Sequence, residues 1–180
     1  RVGKAALPAL EMAFNGGFLF KDIRGGYMTE GKTVRRLRKD DATLAVDADG
    51  RLHLGVWGRE LDPKAKWRSV RQNLPPLILE GKSVYASYKG TYWGDNVNRV
   101  TFTLRSAICR VAQGRLMYVS VGDVDIRLLT RALINMGCEM AMELDINYAW
   151  VQFNVYPHAV NGRLDPNLAF KLLDGMKKPA

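Results

Sequence analysis

Two carboxylates and an amide alternate along residues 140–147, which read MAMELDIN. If this segment is a β-strand, Glu143, Asp145 and Asn147 share one face, because successive side chains of a strand point in opposite directions. Alternate strand residues stand about 7 Å apart, a separation used by paired carboxylates that act on the anomeric carbon of a sugar. The same alternation is typical of a solvent-exposed strand face, so the spacing alone leaves both interpretations open.

An amphipathic helix directly precedes this segment. Apolar residues recur at helical spacing and include Val124, Leu128, Ala132 and Met136. They predict a helix over about residues 123–137, which begins near Asp123 or Asp125 and ends at Gly137. A helix followed at once by a strand usually packs on the sheet that the strand enters. We therefore expect the strand at 138–146 to lie inside the fold, with its polar face open to a cleft.

Most of the remaining chain is typical of short strands joined by tight turns. The turn sequences DADG at 47–50 and QG at 113–114 each separate two strand-like runs, which predicts two hairpins. Asp165 and Pro166 predict a short helix that ends at Gly175. These patterns predict a single α+β domain over residues 1–180, with a mixed or mainly antiparallel sheet and one long helix packed on it. Because the chain begins with Arg1 instead of methionine, we expect it to be a fragment of a longer parent protein.

The chain is strongly basic, with 27 lysines and arginines against 18 acidic residues and a net charge of +9. This charge favours anionic partners. The densest basic run, RRLRK at 35–39, is followed by two aspartates and lacks the interleaved aromatic residues of single-strand binders. We interpret it as a solvated surface segment, which argues against nucleic acid as a partner and leaves a phosphate-bearing substrate or an anionic envelope. No apolar run approaches the roughly 20 residues of a membrane-spanning helix, so the sequence predicts no transmembrane segment.

The histidines and cysteines limit the choice of cofactor. His53 and His158 lack the spacing of zinc ligands, and phosphate-loop, dinucleotide and nucleophile-elbow motifs are absent. The sequence therefore predicts no metal site and no organic cofactor, and it leaves open a divalent cation held by oxygen ligands. Cys109 and Cys138 either pair or remain buried free thiols.

Arg105 lies on the polar side of an otherwise apolar strand-like run over residues 100–108. An arginine in this position is either a surface residue, a member of a structural ion pair, or a clamp for a phosphate group. The clamp is chemically reasonable because a guanidinium offers a planar fork of donors to oxyanions.

Several segments together resemble the phosphodiester glycosidase family. Residues 15–19, NGGFL, resemble that family's Asn-Gly-Gly-Phe-Phe signature, and residues 105–108, RSAI, resemble its Arg-Thr-Ala-Ile element. The predicted helix, Gly137 and the ELD sequence at 143–145 resemble its helix, glycine and Asn-Leu-Asp strand. The order and spacing of these elements agree over most of the chain.

The resemblance implies a cleft where strands that carry Asn15, Arg105 and Asp145 converge. It implies hydrolysis of a sugar-1-phosphodiester at the bond between the anomeric carbon and the phosphate oxygen. The implied roles are phosphate binding by Arg105, base or nucleophile for Asp145 or Glu143, and sugar binding by Asn15, Gly16, Gly17 and Asn147. It also implies an exported, extracellular or envelope-associated protein, in which a disulfide between the two cysteines persists.

The chain departs from the family after Asp145. The family has a run of glycines and then serines at this point, whereas residues 146–150 read INYAW. Two interpretations follow: an enzyme with a different substrate, or a non-catalytic module that binds a glycan or an anionic wall polymer and keeps only the cleft.

Overall fold

The computed structural model describes residues 9–88, 93, 101–147, 151–156 and 170–173. Its strands are β1 (Met12–Phe14), β2 (Tyr27–Thr29), β3 (Lys32–Arg35), β4 (Ala42–Asp47), β5 (Leu52–Val56), β6 (Trp67–Gln72), β7 (Ile78–Leu79), β8 (Lys82–Ser83), β9 (Thr103–Arg110), β10 (Leu116–Val124), β11 (Met140–Glu143), β12 (Phe153–Val155) and β13 (Phe170–Leu173). Within these residues the one α-helix is α1 (Ile126–Asn135).

The strands form three antiparallel sheets. The central sheet has the order β10-β9-β11-β7-β8, the second has β3-β2-β6-β4-β5, and a small third sheet has β1-β12-β13. The predicted hairpins β4-β5 and β9-β10 are both present. The expected antiparallel pairing and the long helix are confirmed, but the described part of the chain is richer in β structure than an α+β fold implies.

Helix α1 lies where the sequence places it and is shorter than predicted. The side chain of Asp125 caps its first turn by accepting a hydrogen bond of 2.8 Å from the N–H of Leu128. Gly137 follows the helix with a φ of +82°, a conformation that glycine adopts without strain. Of the two predicted starts, Asp125 is the observed N-cap, and Asp123 is too early because strand β10 continues to Val124.

The central sheet is covered on both faces. On one face, Leu129 and Leu133 of α1 pack with Ala107 and the two cysteines. On the other face, residues of β9 and β11 pack against the second sheet; this cluster includes Ile108, Met140, Met142, Leu54 and Val56. Burial on both faces explains why β11 has no solvated side.

Two sequence predictions need correction. The strand expected to run to residue 146 ends at Glu143, so Asp145 and Asn147 lie in the segment that follows it. The helix expected between Asp165 and Gly175 is contradicted at Phe170–Leu173, which form strand β13 paired with β12; its other residues lie outside the described part. No helix among the described residues is long and apolar enough to cross a membrane.

Candidate active site

A cleft of about 440 Å³ opens between the segment after β1, the segment after β11, and strand β12. Its lining consists of Ala13, Phe14, Asn15, Gly16, Gly17, Leu19, Asp145, Gln152 and Asn154. Four of the predicted site residues, Asn15, Gly16, Gly17 and Asp145, therefore meet in one cavity. They come from positions about 130 residues apart in the chain, so this meeting depends on the tertiary fold.

Hydrogen bonds hold the Asn15 amide in a fixed orientation. Its carbonyl oxygen accepts from the Tyr118 hydroxyl at 2.8 Å, and its Nδ2 donates to Ser106 Oγ at 3.0 Å. The Ser106 hydroxyl in turn donates to the main-chain carbonyl of Asp145 at 2.7 Å. This chain of bonds ties the wall that carries Asn15 to the wall that carries Asp145.

Asp145 is the carboxylate of the cleft. The residue is 8% exposed, and its Oδ1 accepts a hydrogen bond of 2.9 Å from the N–H of Asn147. Burial raises the pKa of Asp145, because removal from water disfavours the charged form, and the negative charge of Asp22 raises it further. The main-chain N–H groups and Arg71 oppose this increase in the pKa. A raised pKa at a cleft carboxylate is typical of groups that transfer protons.

Arg105 and Glu143 form a buried ion pair, and neither residue lines the cleft. Both side chains have 0% exposure, and Nη1 of Arg105 lies 2.8 Å from Oε1 of Glu143. The guanidinium also donates to the main-chain carbonyls of Trp93, Thr101 and Val124.

The face of β9 from which the Arg105 side chain projects explains why it does not line the cleft. Arg105 and Ser106 are neighbours on β9, so their side chains point to opposite faces of the sheet, and Ser106 is the one that contacts Asn15. Glu143 pairs with Ala107 and so shares the face of Arg105. The described conformation therefore does not bring Arg105 or Glu143 into the cleft that Asp145 lines, and we retain Asp145 alone as the candidate reacting carboxylate.

Asn147 contacts the site through its main chain. Its N–H binds Asp145, and its carbonyl oxygen accepts from the N–H of Val151. The residue is half-buried, and it is not among the residues that line the cleft. Residues 148–150, where the chain departs from the family pattern, lie outside the described part.

Asn73 is a site residue that the sequence did not indicate. Its Nδ2 donates to the carbonyl oxygens of Gly16 and Glu143, at 3.3 and 3.2 Å. Gly17 has a φ of +121°, and a Cβ placed on it would lie 2.1 Å from the Asn73 side chain. Gly17 is therefore required by the fold, because another residue would be strained and would collide with Asn73.

Gly16 differs from Gly17 in its surroundings. A Cβ at Gly16 would have no protein atom within 4 Å among those described, and the residue lines the cleft. Packing thus gives no reason for a glycine here. The absence of a side chain leaves room in the cleft for a ligand to approach the backbone.

Arg71 is the second site residue missed from the sequence. Its Nη2 donates to the carbonyl oxygen of Phe18, its Nε donates to Oδ1 of Asn73 at 3.3 Å, and its guanidinium lies 4.4 Å from the centre of the Phe20 ring. The positive charge of Arg71 interacts with Asp145 and opposes the rise in the pKa of that carboxyl. Arg71 thus supplies positive potential beside the cleft, the effect expected of Arg105 from the sequence.

Cys109 and Cys138 form a disulfide with Cα atoms 5.7 Å apart, which settles the alternative that the sequence left open. The bridge joins β9 to the residues just before β11, so it links the strand that carries Ser106 to the strand that precedes Asp145. Among the described residues, no group of three or more metal-ligating side chains is close enough to hold a metal ion.

Comparisons with known proteins give one family match and two similar structures. A sequence model of the phosphodiester glycosidase family matches residues 9–145. The structure is similar to the catalytic domain of zebrafish N-acetylglucosamine-1-phosphodiester alpha-N-acetylglucosaminidase auto-inhibited by its pro-peptide, with a TM-score of 0.61, 19% identity and 87% coverage of this chain. It is also similar to a hypothetical protein from Synechocystis, with a TM-score of 0.54, 11% identity and 86% coverage.

The chain spans only part of those relatives, 55% of the zebrafish chain and 48% of the Synechocystis chain. At these identities the two structures establish the fold alone, and no curated protein sequence matches the chain significantly. The family match covers most of the chain and includes the cleft residues from Ala13 to Asp145, whereas Gln152 and Asn154 lie beyond it. The chain therefore belongs to the phosphodiester glycosidase family.

Proposed function

We propose that this chain hydrolyses a sugar-1-phosphodiester at the bond between the anomeric carbon and the phosphate oxygen. The observation that carries the proposal is the position of Asp145, a carboxylate with a raised pKa in a cleft bordered by Asn15, Gly16 and Gly17. A phosphate monoester is a good leaving group, so the reaction needs charge neutralisation at the phosphate more than a strong general acid.

In the proposed reaction, Asp145 acts as the base. A water molecule attacks the anomeric carbon and gives one proton to the carboxylate, while the bond from that carbon to the phosphate oxygen breaks and its electron pair leaves with the phosphate. The products are the free sugar and a phosphate monoester, and Asp145 returns its proton to solvent. Direct attack by water inverts the anomeric configuration, whereas a retained configuration would indicate Asp145 as the nucleophile.

The remaining site residues have supporting roles in this proposal. Asn15 and the open backbone at Gly16 contact the sugar, and Arg71 supplies positive potential for the phosphate. The buried Arg105–Glu143 pair holds the strands under the cleft. The proposed reaction does not include a metal ion.

The proposed location is an oxidising compartment or the cell exterior. The support for it is the Cys109–Cys138 disulfide, since such bonds persist mainly outside the reducing cytosol. Titration of thiols in denatured, unreduced protein from its native source tests this proposal. Two free thiols would contradict it.

The activity is tested by release of reducing sugar from a panel of methyl sugar-1-phosphodiesters. We expect turnover by the unaltered chain and loss of at least about 100-fold in Asp145→Asn, the scale expected for general-base catalysis. Asp22→Asn is the matched control, because Asp22 is exposed and interacts with Asp145 only through its charge. Equal activity of Asp145→Asn and the unaltered chain would refute the assignment. Binding of the panel without turnover would instead favour the non-catalytic glycan-binding module.

A further inference from the structure

A second, strongly basic cavity of about 420 Å³ lies on the surface at the end of β3 and the segment that follows it. Its lining consists of Arg24, Arg35, Arg36, Leu37, Arg38 and Lys39. The sequence predicted a solvated basic segment here, whereas in the structure this segment lines a concave site. Five cations around one cavity give an electrostatic environment suited to a polyanion.

Carboxylates among the described residues leave most of this positive charge unneutralised. In the part of the chain that the structure describes, Arg38 is the one cation of the cavity within ion-pair distance of a carboxylate, with its Nε 3.6 Å from Oδ2 of Asp41. Asp40 instead pairs with Arg59, which lies outside the cavity, at 2.6 Å.

Residues at the end of β6 and just after it hold both the loop that borders the candidate cleft and the segment that lines the basic cavity. Arg71 and Asn73 hold the loop that contains Gly16 and Phe18. Between them, the fully buried Gln72 accepts hydrogen bonds from the N–H groups of Gly26 and Arg38 and donates to the carbonyl oxygen of Arg38. Three consecutive residues, 71–73, therefore hold segments that belong to both sites.

Arg35 provides a second connection between the sites. Its guanidinium donates to the carbonyl oxygens of Phe20 and Ile23, at 2.6 and 2.8 Å. Its guanidinium carbon lies 5.2 Å from the centre of the Phe20 ring, which Arg71 also approaches. Positive charge thus continues from Arg71 beside the cleft, past Phe20, into the basic cavity.

We infer that the basic cavity is a second anion subsite of the same substrate, and that the substrate is a polymer with repeated phosphodiester groups. One phosphodiester lies at Asp145 while a neighbouring phosphate of the chain occupies the cavity. This inference rests on the proposed function for the identity of the first group. A substrate with a single phosphate would place no anionic group in the basic cavity.

The test compares affinities for two synthetic probes: a methyl sugar-1-phosphodiester with one phosphate, and an oligomer of sugar-1-phosphodiester repeats. Calorimetry on the Asp145→Asn protein at low salt gives both dissociation constants without dependence on turnover. The test variant is Arg24→Gln/Arg36→Gln, since both side chains are exposed. The matched control is Arg115→Gln/Arg131→Gln, which removes the same charge from exposed positions on the β9-β10 turn and on α1.

We expect the test variant to lower the preference for the oligomer over the single diester by about tenfold at low salt, and less at high salt. The control variant should change this preference less than twofold. An unchanged preference in the test variant, or equal losses in the two variants, would overturn the inference. Single-stranded DNA of equal charge that binds as tightly as the oligomer would also overturn it.

Hydrolysis of the single diester by the unaltered chain tests the proposed function separately. Failure of hydrolysis with cavity-dependent binding of the oligomer would refute the reaction and support the subsite. Hydrolysis without any preference for the oligomer would support the reaction and refute the subsite.

Discussion

Replacement of Glu143 by glutamine separates a structural role for the buried ion pair from a catalytic one. The substitution keeps the shape of the side chain and removes the negative charge that lies 2.8 Å from Arg105 in a site with 0% exposure. Removal of one partner from a buried ion pair leaves the other charge poorly compensated and costs about 3–5 kcal/mol. In a chain of this size, that loss lowers Tm by roughly 6–20 °C.

Thermal and urea denaturation followed by circular dichroism measure this loss, and hydrolysis assays at a temperature where both proteins are folded measure activity. Glu139→Gln is the matched control, because Glu139 is exposed just before β11 and should change stability by less than about 0.5 kcal/mol. Replacement of both Arg105 and Glu143 by methionine should recover much of the lost stability. A Glu143→Gln protein with unaltered stability and no activity would refute this reasoning and make Glu143 a reacting carboxylate.

Three further predictions concern a pair of glycines, the disulfide and Asp41. Gly17→Ala should lower the free energy of unfolding by roughly 1–3 kcal/mol, because its Cβ would meet Asn73 at 2.1 Å. Gly16→Ala should leave the free energy of unfolding unchanged and raise KM. Equal destabilisation of the two variants in urea denaturation would contradict this prediction. Replacement of both Cys109 and Cys138 by alanine should cost about 3–4 kcal/mol, since the bridge closes a loop with a sequence separation of 29, and an unchanged free energy of unfolding would refute it. Burial raises the pKa of Asp41 from 3.8 to about 6, so the free energy of unfolding should fall as the pH rises through that window. Asp41→Asn should therefore be more stable than the unaltered chain at pH 7 and lose this advantage below pH 3.8. A difference in stability that stays constant across the pH range would exclude the effect.

Local patterns in the sequence predicted the elements that depend on neighbouring residues. The cap at Asp125 and the stop at Gly137 marked the two ends of α1. The turn sequences likewise predicted the β4-β5 and β9-β10 hairpins. These signals are local because capping and turn conformations require particular residues within a few positions.

The composition of the site depends on contacts that no local pattern contains. Alternation on β9 showed that Arg105 and Ser106 face opposite ways, but it could not show which face a helix would cover. Arg71 near the end of β6 and Asn73 just after it donate hydrogen bonds to the loop that carries Gly16 and Phe18, more than 50 residues earlier in the chain. Their polar side chains near the end of a strand are the signal that could have indicated them.

The central claim is cleavage between the anomeric carbon and the phosphate oxygen with Asp145 as the base. Hydrolysis of a methyl sugar-1-phosphodiester in ¹⁸O-labelled water, followed by mass spectrometry of both products, tests this bond directly. We predict that the label enters the sugar and is absent from the methyl phosphate, and that Asp145→Asn forms neither product at a comparable rate. Label in the methyl phosphate would show attack at phosphorus and contradict the claim.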